Sequence, residues 1–406
     1  MPPAPAPAES RPAPAGGGKR IVQITDWLPP QFSAVSQYAF AIAAEEIAKG
    51  NEFGVVGLTP DGRVEAVEGV RMVAARRARY DKKSWLRRLA WTLRTNVILL
   101  RHGWGMLRWS DEIRFTGSPP FLIFFLYPAN WLLRKELVYR ITDFYPECIM
   151  AALSRPSRSL EFARRVTNVL RRRIDRFEVL GEDMAERLAE CGVPRSRMVM
   201  RRDASPVEVL PSTQPIPRPP GLAGKRAILY SGNWGAAHEV DTFFEAYRLH
   251  HERGSGTLTL WLNATGTGAD DLDARLKAAG LPYVRERLVP LEQLAGLLVT
   301  PDIHLITLRP SFTGYVLPSK VFGCIASGRP VLFIGSRRSD VHLLCTAAPG
   351  LPYRHVEIGD VEGVAAALDG FPWSDSADDA PEGSQPAGWS RLNGAARPGE
   401  ASPRPA

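Results

Sequence analysis

The segment 303–334 reads IHLITLRPSFTGYVLPSKVFGCIASGRPVLFI and decides the fold class of this chain. Ile303–Leu308 is a short apolar run, which is typical of a strand that is buried on both faces. A loop with glycine and proline follows, Ser319–Ser327 has a helical pattern, and Val331–Ile334 is a second apolar run. A strand, a crossover helix and a strand in this order predict a parallel sheet that is covered by helices.

The same alternation extends from this unit toward both ends of the chain. The other predicted strands are Arg20–Asp26, Phe53–Leu58, Ile113–Thr116, Leu137–Thr142, Phe177–Leu180, Ala227–Tyr230, Leu258–Leu262 and Val284–Leu288. The sequence therefore predicts two Rossmann-like, doubly wound α/β domains, residues 19–204 and 225–370, joined by a proline-rich hinge at 205–224. Ligands of such sheets bind beyond the carboxyl ends of the strands, so we expect the site in the cleft between the domains.

The two termini differ from the rest of the chain in composition. Residues 1–18 and 371–406 are rich in Pro, Ala, Gly and Ser and have no apolar period, so both are predicted to be disordered. With 45% hydrophobic and 23% charged residues, the whole chain has a globular composition, which excludes a fibre or a coiled coil. The four cysteines have no metal-binding spacing, and the apolar run 121–127 is too short to cross a bilayer. We expect a cytoplasmic protein without a signal peptide.

Positive charge is concentrated in residues 71–140. This window contains 15 Lys and Arg against four Asp and Glu, and five of the ten tryptophans. Within it, residues 84–101 predict an amphipathic helix whose apolar face carries Trp85, Leu86, Leu89, Leu93, Val97 and Leu100. The opposite face carries Arg87, Arg94 and Arg101. A basic, Trp-rich surface suits an anionic membrane, whereas the alternative for the helix alone is that it covers a sheet with its arginines in water. Nucleic acid is not expected as a partner, because no nucleic-acid-binding motif is present.

Four segments lie at predicted strand ends, where this fold class builds its sites. They are 26–34 (DWLPPQFSA), 140–147 (RITDFYPE), 230–238 (YSGNWGAAH) and 314–320 (GYVLPSK). In the last segment, Ser319 at a helix N-cap and Lys320 beside it predict an anion site that suits a diphosphate. The alternative is a plain capped helix with a solvated lysine. The glycines of 230–238 offer a second backbone approach to phosphate, unless they form a simple turn.

In this order around a mid-chain hinge, the four segments resemble glycosyltransferases of the GT-B fold, of the GT4-like (group 1) type. ITDWLPPQFSAVSQYA is similar to the first strand and acceptor-side loop of that family, which places Asp26, Ser33 and Ala34 on the acceptor side. ITDFYPE resembles its D-x-x-P-E element, and PSKVFGCIASGRPV resembles its donor signature. The resemblance spans residues 20–367 and implies two Rossmann-like domains that face each other across a cleft.

The resemblance also implies how the site residues act. A nucleotide-diphosphate sugar is the donor, and no metal or other cofactor is required. Lys320 stabilises the departing diphosphate, and Asp143 or Glu147 orients or deprotonates the acceptor hydroxyl. The other residues expected around the diphosphate are Gly232, Asn233, Pro318, Ser319 and either Arg201 or Arg202. From the residues alone, Asp143 could equally cap or ion-pair its loop, and the arginine pair could be solvated.

The chain departs from the family pattern at several positions. Two glutamates of the donor signature, eight positions apart, are replaced by Tyr315 and Gly323. Two family cations fall near Asn233 and His238, and a glycine pair of the first loop appears as Ser33-Ala34. These differences put the usual ribose contact and the usual charge clamp in doubt.

The expected function is a retaining, metal-independent glycosyltransferase that acts on a lipid-linked or polysaccharide acceptor. It would work at the cytoplasmic face of the plasma membrane, with segment 71–140 of the acceptor domain on the anionic lipid surface. Two alternatives stay open. One is a catalytically impaired GT-B scaffold protein of a polysaccharide assembly complex, which the missing glutamates favour. The other is a nucleotide-sugar 2-epimerase of the GT-B type, which needs no acceptor.

Overall fold

The computed structural model describes residues 18–28, 34–64, 66–77, 85–153, 155 and 157–370. The termini predicted to be disordered therefore lie outside the described residues, except for Gly18. Ser33 of the acceptor-side loop also lies outside them. Among the described residues, every helix is too short or too polar to span a lipid bilayer.

Residues 20–200 contribute the first sheet. Its strands are β1 Arg20–Trp27, β2 Glu52–Thr59, β3 Val70–Arg76, β4 Glu112–Thr116, β5 Glu136–Ile141, β6 Arg176–Val179 and β7 Met198–Met200. They are ordered β3-β2-β1-β4-β5-β6-β7, and β1 pairs in parallel with β2 and with β4. The helices of this region are α1 Ala34–Ala48, α2 Trp85–Trp109, α3 Leu122–Leu133, α4 Glu147–Ala152, α5 Arg158–Arg171 and α6 Glu182–Glu190.

Residues 226–370 contribute the second sheet and its helices. The strands are β8 Arg226–Asn233, β9 Leu258–Thr265, β10 Tyr283–Glu286, β11 Ile303–Thr307, β12 Val331–Ile334 and β13 Tyr353–Val356. The helices are α7 Asp241–Glu252, α8 Thr267–Ala278, α9 Leu291–Val299, α10 Lys320–Ala326, α11 Asp340–Ala347 and α12 Val361–Gly370. The order is β10-β9-β8-β11-β12-β13, and every neighbouring pair is parallel. The prediction of two doubly wound parallel sheets is thus confirmed.

The strand order of the second sheet reverses between β8 and β11. Doubly wound sheets bind their ligands at such a reversal, beyond the carboxyl ends of the two strands. The loop 234–240 follows β8, and the loop 308–319 follows β11 and leads to α10. Both of these loops belong to segments that the sequence analysis singled out.

The chain divides into two compact units that do not coincide with the two sheets. One unit contains residues up to 115 together with 125–138, and the other contains 116–124 and all residues from 139 onward. The proline-rich stretch 205–224 lies inside the second unit. The domain limits and the hinge that the sequence suggests remain predictions.

A column of aromatic side chains forms part of the core under the second sheet. Tyr230 stacks on Trp234 with ring centroids 3.7 Å apart, Trp234 contacts Phe243 at 6.3 Å, and Phe243 stacks on Tyr247 at 5.5 Å. All four side chains are fully buried. Burial of aromatic rings of this size is a main source of stability, so the end of β8 has a rigid support.

Helix α2 meets the first sheet with a different face from the one that the apolar pattern suggests. It packs on β2 and β3 through a buried face that includes Thr95, Asn96 and Leu99. The predicted apolar face is instead solvent-exposed, at 38% for Leu89, 40% for Leu93 and 53% for Val97. The interpretation that this face covers the sheet is therefore wrong. Periodicity identifies an apolar stripe, but the face that lies inside combines the leucines Leu99 and Leu107 with Thr95 and Asn96.

Candidate functional site

One histidine joins the two strand ends at the reversal of the second sheet. His238 follows β8, and its Nδ1 donates a hydrogen bond of 2.5 Å to the carbonyl oxygen of Thr307, the last residue of β11. Burial, together with the charge of Lys320, lowers the pKa of His238 to about 3. His238 is therefore neutral at pH 7 and does not replace the cation that related sequences carry near this position.

Lys320 begins α10 and directs its ammonium group to the strand ends that His238 joins. The side chain is partly exposed as a whole, but its Nζ atom is buried and has no hydrogen-bond partner in the part of the chain that the structure describes. Nζ lies 3.2 Å from the centroid of the Tyr230 ring. Burial lowers the pKa of Lys320 to about 7, since a charged amine loses its hydration there. A buried ammonium with unused donors is a site that an anion can occupy.

Gly232 gives the end of β8 a conformation that a larger residue would strain. Its φ is +107°, in a region that L side chains rarely adopt, and a Cβ added there would lie 4.0 Å from Cε of Lys320. The next residue, Asn233, is exposed and lies against the turn that precedes α8, where a Cβ on Gly266 would come within 2.4 Å of its Oδ1. Gly232 thus lies near Lys320, and the side chain of Asn233 lies against this turn. Binding of a diphosphate by either residue stays a prediction.

Ser319 occupies the N-cap position of α10, but its side chain does not cap the helix. It stands at the N-cap position with helical φ and ψ of −57° and −22°, and its side chain makes no capping hydrogen bond. Pro318 is buried beside it, and Ser319 itself is exposed. The predicted N-cap position of Ser319 is therefore confirmed, whereas the alternative of a helix capped by the serine side chain does not hold.

Arg309 is a cation of this region that the sequence analysis missed. It follows β11 directly, its backbone N–H donates to Ala237 over 2.8 Å, and its Nε donates to the carbonyl of His238 over 3.2 Å. Its side chain is exposed, so it can reach a ligand at the strand ends. The sequence feature that could have identified Arg309 is its position immediately after a predicted buried strand of the predicted donor domain.

The two arginines expected on the diphosphate have carboxylate partners elsewhere. Arg201 Nη1 lies 3.4 Å from Glu178, and Arg202 Nη2 lies 3.6 Å from Asp340. Asp340 in turn faces Asp183, and each carboxylate accepts a hydrogen bond from the other residue's backbone N–H, at 3.0 and 3.1 Å. These contacts give both arginines a structural role.

The loop that begins at Asp143 pairs with the loop before α10. Asp143 forms an isolated antiparallel bridge with Val316, and the backbone N–H of Phe144 donates to the carbonyl of Tyr315 over 3.0 Å. Gly117 allows this approach, since a Cβ there would lie 2.6 Å from the carbonyl oxygen of Asp143. Asp143 itself is half-buried. Two of the singled-out segments are thus in direct contact, which spacing along the chain does not reveal.

Glu147 is part of a buried ion pair. Arg171 donates to both of its carboxylate oxygens, over 2.5 and 2.9 Å. The side chain of Arg171 is 0% exposed and that of Glu147 is 4% exposed. Arg171 also lies over the Phe144 ring at 4.9 Å. A carboxylate whose two oxygens are occupied in this way supports the loop, and this geometry argues against a role as base for an acceptor.

The acceptor-side residues are only partly described. Asp26 lies half-buried near the end of β1. Ser33 lies outside the described residues, and Ala34 begins α1 without a described side chain.

Similarity to known proteins agrees with the fold. No family model matches the chain. It is 26% identical over 242 residues to the probable glycosyltransferase WbjE of Pseudomonas aeruginosa, which covers 57% of this chain and 59% of that one. It is 29% identical over 148 residues to the putative colanic acid biosynthesis glycosyl transferase WcaI of Escherichia coli, covering 36% and 35%. The chain thus spans about 59% and 35% of the lengths of these two curated relatives.

Solved structures match over most of the chain. HepE of Anabaena in complex with UDP and glucose has a TM-score of 0.59 at 12% identity, covering 92% of this chain and 95% of that one. Sucrose-phosphate synthase of Thermosynechococcus elongatus has a TM-score of 0.62 at 12% identity, covering 86% and 88%. WaaG, a glycosyltransferase involved in lipopolysaccharide biosynthesis, has a TM-score of 0.56 at 13% identity, covering 86% and 89%. The chain has the GT-B fold, and its resemblance to group 1 glycosyltransferases is confirmed.

Proposed function

We propose that this protein is a glycosyltransferase that moves a sugar from a nucleotide-diphosphate donor to an acceptor. The observation that carries the proposal concerns the Nζ of Lys320. This atom is buried and, among the described residues, has no hydrogen-bond partner. It lies beside Gly232, at the point where the strand order of the second parallel sheet reverses. The names of the curated relatives, and the UDP-bound structure with the same fold, support the same class of reaction.

In this reaction the bond between the sugar and the diphosphate breaks, and negative charge grows on the leaving diphosphate. Lys320 donates to that charge from a fixed position, which lowers the barrier without reorganisation of solvent. Arg309 lies on the adjoining loop and adds a second positive charge from the solvent side. These two cations supply the field that a metal ion supplies elsewhere, so we propose a metal-independent reaction. That the reaction is retaining we propose only from the resemblance to the GT4-like family.

Asp143 is the carboxylate that we assign to the acceptor. It lies at the start of the loop after β5, and its backbone is fixed to Val316 in the loop that leads to Lys320. A half-buried carboxylate in this place can orient the acceptor hydroxyl or accept its proton. Glu147, which binds Arg171 through both oxygens, keeps the Asp143 loop in position.

The acceptor that we propose is lipid-linked or a membrane-bound glycan at the cytoplasmic membrane face. The support is the exposed stripe of Leu89, Leu93 and Val97 on α2 beside exposed arginines. On α3, Trp131 is 77% exposed and Leu132 is 69% exposed. Apolar and basic side chains on one surface bind anionic bilayers through burial and through charge attraction.

A direct test measures sugar transfer by the purified Lys320→Ala variant. Loss of a fixed donor to the leaving group lowers turnover by about 100-fold to 1000-fold. The matched control is Lys277→Ala, which removes an exposed lysine of α8 and is expected to leave turnover unchanged. Turnover by Lys320→Ala equal to that of the wild type would count against the donor-site assignment.

A scaffold without catalytic activity is the second candidate, and one contact favours it. A Cβ on Gly323 would lie 3.0 Å from Cδ1 of Leu298, so the glutamate that related sequences carry there does not fit without a shift. The scaffold should bind no nucleoside diphosphate, whereas the enzyme should bind one, and calorimetry separates the two. An epimerase would convert free nucleotide-sugar in the absence of any acceptor.

A further inference from the structure

Among the described residues, Lys320 has no carboxylate partner, although its ammonium group is buried. The titratable groups that act on it or feel its charge are Tyr230 on β8, His238 after β8, His304 on β11 and Cys324 on α10. Burial lowers the pKa of His304 to about 4, as it does for His238, and raises the pKa of Cys324 to about 12. Near pH 7, these groups are neutral, so none of them balances the charge of Lys320.

The ring of Tyr230 is the group that meets this charge. Trp234 stacks on one face of the ring at 3.7 Å with an interplanar angle of 20°. A ring stacked this closely leaves no space for another group on that face, so the Lys320 Nζ, 3.2 Å from the ring centroid, lies on the opposite face. Both aromatic side chains are 0% exposed, which fixes the ring in place. The face of an aromatic ring attracts a cation through its quadrupole, and most strongly where water is excluded.

We propose that Tyr230 is a positioning residue that fixes the ammonium group of Lys320 through its ring face. The N–H donors of Lys320 therefore stay available to bind a diphosphate. This inference rests on the proposed function, since it assigns the anion to the donor. A carboxylate in the same place would neutralise the ammonium and occupy its donors. A π face attracts the charge without accepting a strong hydrogen bond, so the donors stay available.

The proposal predicts how binding depends on pH. The charged form of Lys320 binds the diphosphate, and its pKa of about 7 in the unliganded protein makes affinity fall as the pH rises above 7. Removal of the ring face takes away an interaction that only the charged form makes. The midpoint of the pH dependence should then move to lower pH.

The experiment measures binding of UDP, and of the other nucleoside diphosphates, by calorimetry between pH 6 and pH 9. Tyr230→Phe keeps the ring face and should bind like the wild type, although it loses the hydroxyl contact of 3.4 Å to the Asn233 carbonyl. Tyr230→Leu should lose at least about tenfold in affinity, with a midpoint at lower pH, because a cation–π contact in a buried site is lost. Wild-type affinity and an unchanged midpoint in Tyr230→Leu would overturn the proposal.

A second series keeps the shape of the ring, in case Tyr230→Leu does not fold. In this series, Tyr230 is replaced by phenylalanines that carry an increasing number of fluorine atoms. Each added fluorine weakens the ring quadrupole while the size of the ring stays nearly constant. Affinity should fall stepwise with fluorination, and equal affinity across the series would contradict the proposal.

The titration of the Lys320 Nζ is followed in parallel by NMR of labelled lysine, assigned with Lys320→Ala. If the wild type binds no nucleoside diphosphate, the proposed function fails, while the NMR titrations still decide whether the Tyr230 ring holds the ammonium.

Discussion

At the scale of single residues, the charged side chains of this protein separate into partnered and unpartnered groups. The Nζ of Lys320 is buried and has no hydrogen-bond acceptor among the described residues, whereas Glu147 and Arg171 satisfy each other inside the fold. An unpaired buried charge costs far more free energy than a paired one, so it persists only where something compensates it. For Lys320, we assign that compensation to the Tyr230 ring and, during turnover, to the donor diphosphate.

The ion pair of Glu147 leads to a prediction about stability. Glu147→Gln should lower the free energy of unfolding by about 3–5 kcal/mol, because it leaves Arg171 charged and buried without its partner. The pH profile of the remaining turnover should keep its shape, since Glu147 is not the base. Urea unfolding and a pH–rate profile check the two parts.

The matched control for this prediction is Glu161→Gln. Glu161 pairs with Arg164 at 2.6 Å in a partly exposed site, and such pairs contribute at most about 1 kcal/mol. A loss of stability no larger in Glu147→Gln than in this control would contradict the structural role of Glu147.

Asp183 should make stability fall as the pH rises. Burial and the neighbouring Asp340 raise the pKa of Asp183 to about 8, whereas its ordinary value is near 4. The folded protein therefore retains a proton that the unfolded chain has released between these values, and it loses that stabilisation as the pH approaches 8. Asp183→Asn cannot ionise, so it should be more stable than the wild type at pH 8.5.

Urea unfolding at pH 6 and at pH 8.5 tests this difference. An asparagine at 183 can still accept the N–H of Asp340 and can donate to its carboxylate, so the contact at 3.1 Å is retained. Asp271→Asn, at a 59% exposed carboxylate, is the control and should follow the wild type. Equal pH slopes for Asp183→Asn and the wild type would show that the pair does not retain a proton.

At the scale of elements, α2 shows that a correct helix prediction can still assign the wrong face. The helix is present, and Arg87, Arg94 and Arg101 are exposed as expected. Its apolar stripe is exposed as well, so the surface of α2 combines both features of a membrane-binding helix.

The stripe on α2 leads to a prediction about lipid binding. Leu93→Ser together with Val97→Ser should abolish flotation with anionic vesicles, and Arg94→Glu should weaken it by about 1 kcal/mol or more, since a charge near the lipid surface is reversed. Leu343→Ser, at a 44% exposed position of α11, is the matched control. Wild-type binding should also weaken at high salt, since ions screen the attraction. Failure of the wild type to float at low salt would remove the membrane part of the proposed function.

At the scale of the whole molecule, a donor nucleotide should stabilise the folded state. A nucleoside diphosphate at about 100 times its Kd adds ~2.7 kcal/mol to the free energy of unfolding. A thermal-shift panel of UDP, GDP, ADP and TDP should therefore show one base that raises Tm by several degrees. Lys320→Ala should lose most of that shift, and a panel without any shift in the wild type would contradict nucleotide binding.

The sequence by itself determined the elements of the fold. The five strands predicted between residues 19 and 204 are all present with ends shifted by at most one residue, and Val331–Ile334 agrees with β12 at both ends. The strands β3, β7 and β13 were not predicted, since β3 and β13 are only partly buried and β7 has three residues. Hydrophobic period and turn residues are local properties, so they can be read from neighbouring positions along the chain.

Only the tertiary structure decided which charged residues are partnered. Glu147 pairs with a residue 24 positions away and Asp183 with one 157 positions away, while Lys320 meets the ring of Tyr230. No local pattern encodes these distances, because each contact depends on how strands and helices from remote segments pack together. The sequence therefore identifies the residues that carry the chemistry, and the packing determines which of them can act.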